Sequence, residues 1–220
     1  MVTRRQFGKQ LVSLVTTYAL LESLFTADAF AKPVKPITDH LAKQLNTLCL
    51  DLRKSALTQT QWQTQIESLL GSIELTELLT FIDFEKLTHN FQYADLGVST
   101  KHVMFPTIEG LPPNTAFVKK IFGLQQGRSI IPHGHSNMTS SHLVLKGELA
   151  LRQFEKVEEE KDALIIMPTV DRTAGVGDAS SISDEHNNIH WSVSNTPHAF
   201  TFDVIVLDLQ GKTYDIHNID

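Results

Sequence analysis

Length and composition make a single folded domain the default expectation for this chain. It has 220 residues, of which 41% are hydrophobic, so it can bury a core of its own. The formal net charge of −6 excludes a protein that binds nucleic acid through a strongly basic face. The single cysteine, Cys49, excludes an intramolecular disulfide and a cysteine-rich zinc site, and its apolar neighbours favour a buried structural thiol.

Residues 1–31 have the organisation of a bacterial export signal. Arg4 and Arg5 precede a modestly apolar run, and Ala29-Phe30-Ala31 then supplies small residues at the spacing that a signal peptidase requires. The paired arginines resemble the twin-arginine signal, which implies the twin-arginine export machinery as a partner and a periplasmic or secreted location. The alternative is that this stretch is the first helix of the fold. No later segment approaches the ~20 consecutive apolar residues of a membrane span.

Residues 32–95 are predicted to form a helical extension. Apolar residues recur there every three or four positions, as on one face of a helix, in runs that begin near Leu41, Trp62 and Leu75. Either Thr58 or Thr60 is suited to cap the second helix, and Gly71 is suited either to end it or to mark a kink. Nothing in these helices indicates a catalytic residue.

From residue 96 onward the pattern changes to short strands. Seven or eight β-forming runs, separated by turn signals such as Lys146-Gly147, predict a mainly β fold for residues 96–220, either an antiparallel barrel or a jelly roll. The charged residues 155–162 are interpreted as a solvated turn. Residues 169–186 are polar and lack a strand pattern, so they are interpreted as a long connection, either a lid over the barrel or a surface loop.

Two closely spaced histidines predict a metal site within the β region. Residues on one face of a strand repeat every second position, so His133 and His135 point the same way, about 6–7 Å apart along the strand. A third imidazole would complete a facial site for a divalent metal. His190, at the start of a late strand, is the preferred third ligand and His198 the second choice. His142 is expected deeper in the barrel, as a supporting or core histidine.

At these residues the chain resembles the cupin superfamily. The first cupin motif, a glycine followed by paired histidines, a glutamate and a second glycine, is matched at Gly127, His133, His135 and Gly147, with Ser140 at the glutamate position. Among cupins, the three-histidine iron thiol dioxygenases lack that carboxylate. The plant cysteine oxidases and animal cysteamine dioxygenase are the most similar of these, through segments that correspond here to Ile131-Pro132, Met138-Thr139, Asn188, His190, Pro197 and Asp203-Val204.

The resemblance implies a cupin-type double-stranded β-helix, a jelly-roll barrel preceded by the helical extension. It implies that His133, His135 and His190 bind Fe²⁺, with Mn, Zn or Ni as alternatives, and that Asp203 has a catalytic role in orienting the substrate. The alternative for Asp203 is a carboxylate that makes a local hydrogen bond at the end of a strand.

The predicted function follows from these ligands. Three neutral histidines leave the charge of the ion uncompensated, which favours an anionic substrate such as a thiolate. We therefore expect a metal-dependent oxidoreductase that adds O₂ to a small thiol or another small anion. The sequence departs from the thiol dioxygenases at Ser136, at Asn137 and after Asp203. A cupin enzyme of other chemistry (an isomerase or a non-thiol dioxygenase) and a non-enzymatic binding protein are the alternatives.

Overall fold

In the described part of the chain, helices come first and strands follow. The computed structural model describes residues 38–95, 97–160 and 163–219, so the predicted export signal lies outside the described residues. None of the described helices is long and apolar enough to cross a membrane. The α-helices are α1 (Thr38–Arg53), α2 (Gln59–Gly71), α3 (Leu75–Phe81) and α4 (Phe84–Thr88).

Helix α2 begins at a capping box, which confirms one of the two caps expected from the sequence. The Thr58 side chain accepts a hydrogen bond from the backbone N–H of Gln61, and the Gln61 side chain accepts one from the backbone N–H of Thr58. Two backbone donors that the helix leaves unpaired are satisfied in this way. The helix ends at Gly71, which is one of the two roles expected for this glycine.

The described strands form two antiparallel sheets of five strands each, in the orders β1-β2-β9-β4-β7 and β10-β3-β8-β5-β6. Their ranges are β1 (Ser99–His102), β2 (Val118–Gln125), β3 (Ser129–Ser136), β4 (Thr139–Lys146), β5 (Leu149–Glu160), β6 (Ala163–Ala174), β7 (Ala179–Ile182), β8 (Ile189–Ser194), β9 (His198–Val206) and β10 (Asp215–Asn218). A short 3₁₀ helix at Leu209–Gly211 connects β9 to β10.

The strand order is that of a jelly roll. When β2 to β9 are counted from one to eight, the sheets run 1-8-3-6 and 2-7-4-5, so the chain alternates between two facing sheets. The fold is therefore mainly β, a cupin-type double-stranded β-helix with a helical N-terminal part, as the sequence predicted.

The helices share a hydrophobic core with the sheet that contains β9. Alternate residues of β9, among them Phe202, Val204 and Val206, belong to one buried cluster with Leu45 of α1 and Trp62 of α2. The intervening residues of β9 face the interior between the two sheets. Since both faces of β9 are covered, every residue of the strand after the first is buried.

Two loops expected from the sequence are largely strands. Residues Glu155–Glu160 continue β5 and pair with β6 instead of forming a turn. Residues 169–186 include the end of β6 and all of β7, so neither a lid nor a long surface loop is present there. Both β6 and β7 are edge strands. Strand β6 is largely exposed, so it tolerates polar residues, and its second half lacks the apolar alternation by which strands are recognised. Strand β7 is mostly buried, but two of its four residues are serines, so it lacks that alternation as well.

Candidate metal centre

The structure brings together the three histidines that the sequence predicted as ligands. His133 and His135 lie on β3, and His190 lies on the neighbouring strand β8, where it is the direct cross-strand partner of His133. The pairing of the two strands shifts register between Ile130 and His133. A bulge of this kind redirects the side chains that follow it.

The three imidazoles form one compact, buried cluster. Ring centroids lie 4.3 Å apart for His133 and His190, 4.7 Å for His133 and His135, and 5.1 Å for His135 and His190. One nitrogen from each ring lies within 4.8 Å of the other two, and the residues are between 5% and 9% exposed. Three potential metal ligands therefore surround one point, and Asp203 is not among them.

The hydrogen bonds of these rings fit a divalent metal. Nδ1 of His133 donates to the carbonyl oxygen of Ile131 at 2.7 Å, and Nδ1 of His190 donates to that of Asn188 at 3.2 Å. Both bonds hold the ring in the tautomer whose Nε2 carries a free lone pair. Nδ1 of His135 is buried and has no hydrogen-bond partner among the described residues.

The electrostatic surroundings keep the cluster neutral. Burial lowers the pKa of His133, and the nearby ring of His142 lowers it further. Burial and the neighbouring imidazoles lower the pKa of His135 to about 3 and that of His190 well below its usual value. Metal binding requires unprotonated imidazole, so all three side chains are ready to bind an ion at neutral pH.

A cavity of about 170 Å³ adjoins the cluster. Ser140, which occupies the expected carboxylate position, lines this cavity together with the three histidines. Its side chain is buried, and its Oγ has no hydrogen-bond partner among the described residues. Within the described residues, the group of potential ligands therefore consists of histidines alone.

His142 and Asp203 form a pair beside the cluster. Nδ1 of His142 donates to Oδ2 of Asp203 at 2.5 Å, and the hydroxyl of Thr201 donates to Oδ1 at 2.5 Å. Burial alone would lower the pKa of His142, but the charge and hydrogen bond of Asp203 outweigh it and raise that pKa. Asp203 is fully buried and positions His142. A role for Asp203 in orienting a substrate stays a prediction.

His198 lies outside the cluster formed by the described residues. It is exposed at the start of β9, and its Nδ1 is hydrogen-bonded to the hydroxyl of Tyr93 at 2.8 Å. His142 has its ring centroid 5.9 Å from that of His190, close enough to support the cluster from one side. Sequence reasoning expected His142 deeper in the barrel, as a supporting or core histidine, and the structure places its ring next to that of His190.

Sequence reasoning missed how Asn188 holds the backbone of His135. The Asn188 side chain accepts a hydrogen bond from the His135 N–H at 2.6 Å and donates one to the His135 carbonyl at 2.8 Å. A Cβ at Gly134 would lie 2.9 Å from Oδ1 of Asn188, so glycine is needed for this approach. In the sequence, Gly134 between the paired histidines was the one sign that another group approaches the backbone closely at this position.

One departure from the thiol dioxygenases has a conformational explanation. Asn137, in place of a glycine, has a φ of +58° in the turn between β3 and β4. Asparagine tolerates this left-handed conformation better than other residues with a side chain, apart from aspartate. The turn can therefore form without the glycine, and Asn137 adds a hydrogen bond to the carbonyl of Thr213.

Comparison with known proteins gives structural neighbours only. No protein-family model matches the sequence, and no curated protein is significantly similar to it. The solved structures with which the fold can be aligned include an uncharacterised double-stranded β-helix protein from Klebsiella pneumoniae, at 11% identity and a TM-score of 0.38, over 61% of this chain and 96% of that one. KdgF from Halomonas sp. aligns at 21% identity and a TM-score of 0.36, over 57% of this chain and 91% of that one.

An oxalate oxidase aligns at 15% identity and a TM-score of 0.38, over 57% of each chain. These low scores add nothing to the fold assignment, which rests on the strand order. The fold and the cluster together define a protein of cupin-type fold with a candidate metal centre made of His133, His135 and His190.

Proposed function

We propose that this protein is a metal-dependent oxidoreductase of cupin-type fold. In this proposal His133, His135 and His190 bind Fe²⁺, and O₂ is used to oxidise a small thiol or another small anion. One observation carries the proposal: three buried, neutral imidazoles converge beside a cavity in which Ser140 replaces the carboxylate ligand. Mn²⁺, Zn²⁺ and Ni²⁺ accept imidazole ligands too, so the choice of iron needs direct analysis.

The charge of the ligand set favours an anionic substrate. Three neutral ligands leave the double positive charge of a divalent ion intact, whereas a carboxylate ligand would cancel part of it. When bound, the ion supplies a centre that lowers the pKa of a coordinated thiol and reacts with O₂. The export proposed for residues 1–31 is compatible with this role, because a protein that folds around its metal before export can select the ion inside the cell.

The remaining residues of the cavity would position and shield the substrate. Phe122, Ile130 and Ile205 give it apolar walls, which limit the access of water. Asp203 holds His142 by its Nδ1, and the buried Nε2 of His142 has no partner among the described residues. That nitrogen and the Ser140 hydroxyl are available to hydrogen-bond a bound substrate.

Metal content tests the proposal directly. We expect the purified protein to contain about one iron per chain, and His133→Ala and His190→Ala to lose most of it because each removes one of three ligands. Elemental analysis after gel filtration measures this. His198→Ala is the matched control, since His198 lies outside the cluster, and it should retain the iron.

Oxygen consumption then tests the reaction. The iron-loaded protein should consume O₂ when small thiols are added, and the two ligand variants should not. A wild-type protein without affinity for any divalent metal would contradict the proposed site. Iron binding without thiol-dependent oxygen uptake would instead leave the metal site standing and refute thiol oxidation.

A further inference from the structure

A lysine lines the same cavity as the three histidines. Lys120 lies on β2 between Val118 and Phe122, and all three contribute to the cavity wall. We propose that Lys120 binds a carboxylate or similar anionic group of the substrate, so that the substrate is a small organic acid. This inference rests on the proposed function and adds a second recognition point, separate from the candidate metal ligands.

Lys120 and the preceding residue, Lys119, lie on opposite faces of strand β2. Nζ of Lys119 lies 5.0 Å from the ring centroid of Phe105 and 5.5 Å from that of Phe117, and it donates to the hydroxyl of Thr115. Side chains alternate across a strand, so Lys119 packs on the helical side of the sheet while Lys120 lines the interior cavity.

Lys120 has no ion pair or hydrogen bond with any described residue. Its cross-strand partner on β9 is Asp203, but both carboxylate oxygens of Asp203 accept hydrogen bonds from His142 and Thr201. A half-buried lysine whose cross-strand carboxylate is already engaged is expected to have another partner. An anionic group in the cavity supplies one.

Two further polar atoms reach the cavity without a partner. They are Oγ of Ser140 and Nε2 of His142, both buried and both without a hydrogen bond to any described residue. A volume of about 170 Å³ corresponds to roughly five or six water molecules at ~30 Å³ each. The cavity therefore suits an acid of a few carbon atoms, with one end at the histidines and the charged end at Lys120.

A pair of thiols that differ in one charged group tests this inference. The probes are 3-mercaptopropionate and 2-mercaptoethanol, bound to Zn²⁺-loaded protein, because Zn²⁺ binds thiolates without redox chemistry. Calorimetry should show that the wild type prefers the carboxylate by about ten- to a hundredfold, the range for hydrogen bonds to charged groups. Lys120→Met should lose this preference while still binding 2-mercaptoethanol.

Two variants control for charge and folding. Lys120→Arg keeps the positive charge and should keep the preference. Lys146→Met removes a charge from the exposed end of β4 and should leave it unchanged. A structural defect would weaken both probes together, whereas the inference requires a change in their ratio.

Equal binding of the two probes by the wild type, or a preference that survives in Lys120→Met, would overturn the inference. Binding of the same two thiols to metal-free protein distinguishes a failure of this inference from a failure of the proposed function, because Lys120 does not need the ion to bind a carboxylate. Oxygen uptake that is equally fast with both thiols would refute the role of Lys120 and leave the oxidase proposal intact.

Discussion

At the scale of single residues, one amide side chain determines where the candidate ligand His135 lies. The side chain of Asn188 makes two hydrogen bonds to the backbone of His135. The backbone carbonyl of Asn188 accepts a third hydrogen bond, from the Nδ1–H of His190. The residue thus links two of the three imidazoles without offering a ligand atom to the cluster. Outer partners of this kind orient ligands and tune metal affinity.

We expect Asn188→Ala to weaken metal binding by about ten- to a hundredfold, the usual effect of losing an outer partner. The two lost hydrogen bonds should also lower the free energy of unfolding by about 1–3 kcal/mol. Competition with a metal chelator and denaturant titration measure the two effects. Asn114→Ala, at an exposed position, should change neither, and an unaltered metal affinity in Asn188→Ala would show that the amide does not position His135.

At the scale of elements, helix α2 holds the loop that leads to His190. The Gln63 side chain accepts a hydrogen bond from the hydroxyl of Ser183 at 2.8 Å and donates one to the carbonyl of His186 at 3.3 Å. Gln59 accepts a hydrogen bond from the backbone N–H of Asp184 at 2.9 Å. Helix α2 is therefore hydrogen-bonded to the loop between β7 and β8. Because His190 follows that loop, the helix is connected through it to the candidate metal centre.

Gln63→Ala should loosen this loop without unfolding the sheets. Its loss removes two hydrogen bonds from the loop, so backbone amides of residues 183–188 should exchange with deuterium faster, and metal affinity should fall. Hydrogen exchange detected by mass spectrometry gives the local change. Thr64→Ala is the control, because among the described residues that exposed hydroxyl bonds only to the carbonyl of Thr60. An unchanged exchange rate in Gln63→Ala would contradict the anchoring role.

At the scale of the whole molecule, the helices and one sheet bury a common core. Cys49 of α1 lies in that core, fully buried, in the same cluster as Trp62 and Phe202. Burial raises the pKa of its thiol to about 12. The thiolate, which is the reactive form, is therefore scarce in the folded protein.

The cysteine should report on cooperative unfolding of residues 38–219. At pH 8 we expect Cys49 to resist a thiol reagent in the native protein and to react in the same denaturant transition in which the β-sheet circular dichroism is lost. The reason is that the helices and the sheet share one core, so neither can open alone. The fully denatured protein, which should react at once, is the control. Thiol exposure well before the loss of sheet signal would show that the helices unfold separately.

Short-range patterns in the sequence were enough to predict most element types and two of the three histidines of the cluster. The spacing of leucines indicated the helices because one face of α1 packs on the core, and the period of two placed His133 and His135 on the same side of β3. His190 was preferred to His198 as the third ligand because it starts a late strand after what was expected to be a long loop. That segment is largely strand, so part of this reasoning was wrong. The group of potential ligands nevertheless contains His190.

What the sequence determined by itself was local: helices, most strands, the histidine pair and the absence of a carboxylate at Ser140. The tertiary structure decided which strands are neighbours, because cross-strand pairing depends on contacts between residues far apart in the chain. It placed His190 opposite His133, brought Asn188 to the backbone of His135 and set Lys120 in the cavity wall. It also made β6 and β7 edge strands, and polar residues in the second half of β6 and in β7 concealed these two segments from a search for apolar alternation.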